Sequence, residues 1–121
     1  MCKYLFFLLL AGFAFPASAQ SLDSIPAKEA VNHYNETVKV YGTVSGGRWL
    51  QSSKITLLNI DGVYPNSSLT LMIKDEDRSK FSYVPEEFLK GKKILISGKV
   101  IEYKEKPEII VTEPAQIKVL Q

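Results

Sequence analysis

Two short stretches of this 121-residue chain place aromatic rings beside cations. In the first, Arg48 and Trp49 are adjacent and Lys54 follows; in the second, Tyr103 and Lys104 are adjacent and Lys106 comes after Glu105. An indole or phenol ring offers a flat face on which a base can stack, worth on the order of 1–3 kcal/mol per base, and ammonium or guanidinium groups hold phosphates by Coulomb attraction. If folding brings both stretches to one surface, that surface suits single-stranded nucleic acid or an oligosaccharide. The competing reading is structural: Trp49 folds back to cap the end of a sheet, and the lysines protect a hairpin tip from edge-to-edge aggregation.

Reactive chemistry finds no comparable constellation. His33 is the only histidine, and a lone imidazole completes neither a Ser-His-Asp relay nor a metal site without partners. Asp75, Glu76 and Asp77 lack the glycine and the spaced ligands of a calcium loop and read as turn and capping residues. Asn35-Glu36-Thr37 and Asn66-Ser67-Ser68 fit the glycosylation acceptor pattern, which is short enough to arise by chance. There is no phosphate-binding glycine loop, nucleophile elbow or paired-carboxylate arrangement. The expectation is a non-enzymatic binding module with no catalytic residue, metal or cofactor.

The N-terminus carries an address. Lys3 gives a small positive region, Tyr4 to Phe15 is almost unbroken apolar sequence, and Ala17-Ser18-Ala19 fits the small-x-small cleavage pattern. Residues 1–19 therefore read as a signal peptide and residues 20–121 as one domain, beginning at Gln20. The apolar run falls short of the ~20 residues a spanning helix needs. Cys2 precedes that run, so cleavage discards the only cysteine and leaves no thiol for lipidation, disulfides or catalysis. The expected location is periplasmic or secreted, without stable membrane insertion after cleavage. Losing Lys3 leaves 14 of the 15 basic side chains against 13 acidic ones, a balance unlike that of strongly basic nucleic-acid domains. Attraction to a polyanion must then be local. An exported protein also meets little nucleic acid, which keeps a protein or glycan partner in the envelope as the alternative.

The elements that must position these residues follow from periodicity. Ser24 is placed to cap a short helix with Pro26 in its first turn and Ala30, Val31 and Tyr34 inward, ending near Asn35. Period-two alternation starts at Thr37, with Val38, Val40 and Val44 on one side. Residues 45–54 read as a loop because of Gly46, Gly47 and the polar residues after Leu50. Strands at Ile55–Ile60 and Leu69–Lys74 flank turn signals at Asp61-Gly62 and Tyr64-Pro65-Asn66. A connection with helical character follows, with Pro85 opening a short helix, Phe88 and Leu89 inward and Gly91 as its stop. Lys92 to Thr112 then reads as two strands joined by a charged turn over residues 104–107.

The result is an all-β domain with short helices: five strands, an N-terminal helix and a short helix between the third and fourth strands. That is the layout of a five-stranded OB-fold barrel, in which Gly42 and Gly98 let the first and fourth strands curve enough to close. Ligands of such barrels lie across the second and third strands, clamped by the loop after the first strand and the hairpin between the fourth and fifth. Arg48, Trp49 and Lys54 would then converge on Tyr103, Lys104 and Lys106.

Ala30 with His33, VKVYGTV at 38–44, TLLNIDGVYP at 56–65, Phe81, GKKILISGKV at 91–100, Lys106-Pro107 and Gln116-Ile117 together resemble a bacterial family of exported or membrane-tethered small OB-fold domains, described as nucleic-acid-binding-like. The resemblance spans nearly all of the chain after residue 19, mostly at core and turn positions, and implies single-stranded nucleic acid as the ligand. Glu105 departs from it, standing where a small residue such as glycine is expected and placing a carboxylate beside any ligand at the hairpin tip.

Overall fold

The computed structural model describes residues 24–120. The signal segment expected at 1–19 and the mature start expected at Gln20 lie outside the described residues. The chain is mostly β-sheet with a few short helices, and its central element is β2, Thr37–Leu50. The first half of β2 pairs antiparallel with β5 (Lys93–Tyr103), from Thr37 opposite Lys99 to Thr43 opposite Lys93. The second half pairs with β3 (Ile55–Ile60), from Val44 opposite Ile60 to Leu50 opposite Ile55. One strand thus serves two neighbours in turn.

β3 continues antiparallel to β4 (Leu69–Lys74), β4 lies parallel to β6 (Lys106–Ile110), and β6 returns antiparallel to β5. The order β2-β3-β4-β6-β5 with β5 paired back to β2 makes a ring of five strands. Two short strands flank it, β1 (Ser24–Pro26) parallel to β2 and β7 (Ile117–Val119) antiparallel to β5. The inward rows Val40 and Val44, Leu58 and Ile60, Leu71 and Ile73, Ile94 and Ile96, and Ile109 have no solvent exposure. Burying each such side chain contributes about 1.5–3 kcal/mol, and these rows hold the ring together.

Glycines decide where the ring closes. A Cβ at Gly42 would sit 2.5 Å from Ile60 Cγ2, and one at Gly98 would sit 2.7 Å from Ile109 Cγ2. Both are close approaches between strand and core side chain that only glycine allows. The expected loop at 45–54 is instead mostly strand: β2 runs on to Leu50 through a register shift between Val44 and Gly46, leaving a turn at 51–54. A Cβ at Gly47 would collide with the Leu57 carbonyl oxygen. The bulge falls at Ser45, between Val44 opposite Ile60 and Gly46 opposite Asn59, and the two glycines that read as loop signals are paired strand residues just after it, where β2 bends from one partner to the next.

The N-terminal helix is also different from the expectation. Residues 24–26 form β1, and Ala27–Asn32 form a 3-10 helix. With three residues per turn, Ala27 and Ala30 stack on one face and are fully buried, while Val31 falls outside at 48% exposure. Between β4 and β5 stand two single-turn helices, α1 (Asp75–Arg78) and α2 (Pro85–Phe88). Leu89 is buried as expected, but Phe88 is exposed and stacks against Tyr83, with ring centroids 4.6 Å apart.

The β5–β6 turn is tighter than expected. Tyr103 pairs with Lys106, so Lys104 and Glu105 alone form it, with φ of 51° and 66°. Two positive φ values make a two-residue hairpin turn of the kind that favours Asn-Gly, and a side chain with a Cβ costs about 1–2 kcal/mol there. Glu105→Gly is therefore expected to stabilise the protein by about 1 kcal/mol, read as a higher urea midpoint at unchanged slope. An unchanged or lower midpoint would show that Glu105 has compensating contacts.

A groove across the outer face of the sheet

The strands that build the core present a second row of side chains on the opposite side. Leu57 and Asn59 of β3, Thr70 and Met72 of β4, Ile101 of β5 and Glu108 and Ile110 of β6 alternate with the buried rows and line a groove of about 690 Å³. Leu50 and Ile55 extend its apolar floor at one end. A smaller depression of about 430 Å³ at Thr37, Val38, Lys39 and Ser97 has no aromatic residue and one cation, so it offers less for recognition.

Two segments wall the groove. The hairpin tip contributes Tyr103, Lys104 and Lys106, and the turn after β3 contributes Tyr64 and Pro65. Lys106 Nζ donates to the Pro65 carbonyl at 2.7 Å, which ties the two walls together. The Arg48 guanidinium lies 5.6 Å from the Tyr64 ring centroid, and Lys104 Nζ lies 5.4 Å from that of Tyr103. Tyr64 is 67% exposed and Tyr103 is 53% exposed, so both rings keep a face for a ligand. Lys74 at the end of β4 adds a further cation.

Of the six residues that the sequence singles out, the structure brings four to this groove: Arg48, Tyr103, Lys104 and Lys106. Trp49 and Lys54 are not among its lining residues. Within a strand, adjacent side chains face opposite ways, so with Arg48 over the groove Trp49 points to the other side. There its indole N–H donates to Asp75 Oδ1 at 3.1 Å, and the Arg78 guanidinium lies 5.6 Å from its ring centroid. Lys54 belongs to the 51–54 turn, with φ of 57°, and its backbone joins Leu50 to Asp75 through two hydrogen bonds of 2.7 and 3.1 Å.

Arg78 is the hub of that opposite side. It donates to Thr56 Oγ1 at 2.6 Å and to both carboxylate oxygens of Glu86, at 2.6 and 3.0 Å. Burial pushes the Glu86 carboxyl up, but the hydrogen bonds from Arg78 and the backbone outweigh it and hold the group below the usual carboxylate range. The same hydrogen bond raises the Arg78 pKa above its ordinary value. Asp77 pairs with Lys80 at 3.0 Å, and His33 Nδ1 meets Glu36 Oε1 at 2.8 Å. Among the described residues, no group of three or more His, Cys, Asp or Glu side chains could hold a metal ion, and no helix is long and apolar enough to cross a membrane.

Sequence reasoning missed Glu108. It sits on the groove side of β6 between Thr70 of β4 and Ile101 of β5, is 6% exposed, and has no hydrogen-bond or ion-pair partner among the described residues. Burial pushes its carboxyl pKa up. A group whose folded pKa is raised gives stability that is complete below its unfolded pKa, near 4.5, and is lost as pH rises through the folded value. Glu108→Gln should therefore melt at nearly the same temperature as the parent at pH 4. At pH 7 it should melt higher by about 4–8 °C, equivalent to roughly 1 kcal/mol. Equal melting temperatures at both pH values would mean that the carboxylate is solvated.

Its signal was available: ITLLNI and LTLMIK carry apolar residues in both alternating rows. A sheet with apolar residues on both sides offers its outer face to a ligand or partner, and β6 continues that face beside β4.

No family model matches the chain. No curated protein matches it either. Solved structures do. A structure described as an aspartyl-tRNA synthetase from Leishmania major Friedlin is 16% identical with a TM-score of 0.54, the match covering 92% of this chain and 23% of that protein's length. OBody AM1L10, solved bound to hen egg-white lysozyme, is 16% identical with a TM-score of 0.59, covering 86% of this chain and 99% of the OBody. At such identities the likeness concerns the fold.

Proposed function

We propose that the chain is an exported OB-fold, a five-stranded barrel acting as a non-enzymatic binding module, and that its groove takes single-stranded nucleic acid. The ring of strands, the position of α1 and α2 before β5, and the similarity to the OBody support the fold. The observation that carries the function is one groove in which two exposed tyrosines stand among Arg48, Lys74, Lys104 and Lys106. Bases stack on Tyr103 and Tyr64 and lie over the apolar floor, while the cations follow the phosphates.

Fluorescence anisotropy with labelled dT12 tests this. Binding should weaken as salt rises, with a log–log slope between about −2 and −3 for three to four phosphate contacts on a single strand. Absence of binding at low salt would overturn the proposal. The partly exposed Leu57, Met72, Ile101 and Ile110 favour a second reading, in which an envelope protein docks on the same floor. A partner captured from envelope extract, retained at high salt and after nuclease treatment, would support that reading instead.

A further inference from the structure

Glu108 is the one acidic side chain lining a groove with four cations. None of those cations pairs with it: Lys106 Nζ donates to the Pro65 carbonyl, Arg48 and Lys104 lie against tyrosine rings, and no ion pair among the described residues includes Glu108. Its two strand neighbours on the groove side, Thr70 and Ile101, supply no positive charge. A carboxylate 94% buried costs free energy unless something donates to it, and among the described residues nothing does. A ligand that brings a donor would satisfy it.

Resting on the nucleic-acid reading above, we propose that Glu108 selects a guanine at the centre of the groove. A carboxylate accepts two parallel N–H bonds best when the donors are adjacent. Guanine offers that pair on its Watson–Crick edge, N1–H beside N2–H. Cytosine and adenine each bring one amino group next to a ring acceptor. Thymine brings a single N–H between two carbonyl oxygens that repel the carboxylate. Bases of a single strand are free to present this edge. The ring lies against Met72 and Ile101, and its phosphates reach the lysines on the rim.

The test compares labelled dT12, d(TTG)4 and d(TTA)4 on the 20–121 protein at pH 7. The parent should bind d(TTG)4 about tenfold more tightly than dT12, as a good bidentate base contact gives. Glu108→Gln should bring d(TTG)4 within about twofold of dT12 and move the preference toward d(TTA)4, since a carboxamide matches adenine. Glu108→Leu, which has no acceptor, should also lose the guanine preference, and both variants should bind dT12 at least as tightly as the parent, because the carboxylate that repels thymine is gone. Equal affinity of the parent for all three oligomers, or a guanine preference that survives both substitutions, would overturn the guanine assignment while leaving nucleic-acid binding intact. Failure of every oligomer to bind the parent would overturn the nucleic-acid reading and this inference together.

Discussion

Arg78→Ala is expected to cost about 2–3 kcal/mol of folding stability without touching the groove. The guanidinium is 22% exposed and Glu86 is 14% exposed, so the pair is mostly but not wholly removed from water. Breaking a fully buried pair costs roughly 3–5 kcal/mol, and residual solvation brings that down here. The loss leaves the fully buried Thr56 hydroxyl without its donor, the Glu86 carboxylate without its only ion-pair partner among the described residues, and the Trp49 ring uncovered.

Domains of this size have only about 5–15 kcal/mol in total, so the variant should unfold at a much lower urea concentration. Arg78→Lys should recover only part, because an ammonium cannot reproduce the two-pronged bond to Glu86. The sign with pH is also fixed. Glu86 has a lowered pKa, so its contribution is present above pH ~4.5 and is lost as pH falls through the folded value. The penalty of Arg78→Ala should therefore shrink in acid. A stability change below about 0.5 kcal/mol at pH 7 would show that the network is decorative.

Tyr103→Ala should weaken dT12 binding about tenfold, the equivalent of one stacked base at roughly 1.4 kcal/mol. Its ring is more than half exposed, so folding stability should stay within about 0.5 kcal/mol. Removing an uncharged ring leaves the number of phosphate contacts alone, and the salt slope should not change. Trp49→Ala provides the contrast. Its indole is occupied by Asp75 and Arg78, so the substitution should lower stability and leave dT12 affinity within about twofold. If Trp49→Ala weakened binding more than Tyr103→Ala at equal foldedness, the ligand would lie on the other side of β2.

That contrast shows where sequence reasoning succeeded and where it stopped. β3 and β4 occupy the spans expected of them, because period-two apolar rows bounded by turn residues leave little choice. The hairpin side of the groove was legible too, since Tyr103, Lys104 and Lys106 sit at a tip marked by its own charges. Arg48 and Trp49 could not be separated while 45–54 read as a loop. A strand imposes alternation on neighbours and a loop does not, so the bulge at Ser45 resets the register and sends the guanidinium to the groove and the indole away from it. The wall formed by Tyr64 and Pro65 depends on the long-range Lys106 contact, which no local pattern encodes. Glu108 does not stand out because the KPEII segment reads as an ordinary strand with polar residues at Lys106 and Glu108, and the apolar outer rows of β3 and β4 mark the face without saying which β6 residue joins it. Only the neighbours brought in by β4 and β5 make that position buried.

The central claim is that the outer face of β3, β4 and β6 is a nucleic-acid site. Amide chemical-shift mapping of the isotopically labelled 20–121 protein titrated with dT12 tests it directly. The expected perturbations centre on Arg48, Thr70, Ile101, Tyr103, Lys106 and Glu108 and spare Thr37 to Lys39. No perturbation at low salt, or changes centred on Thr37, Lys39 and Ser97 instead, would contradict it.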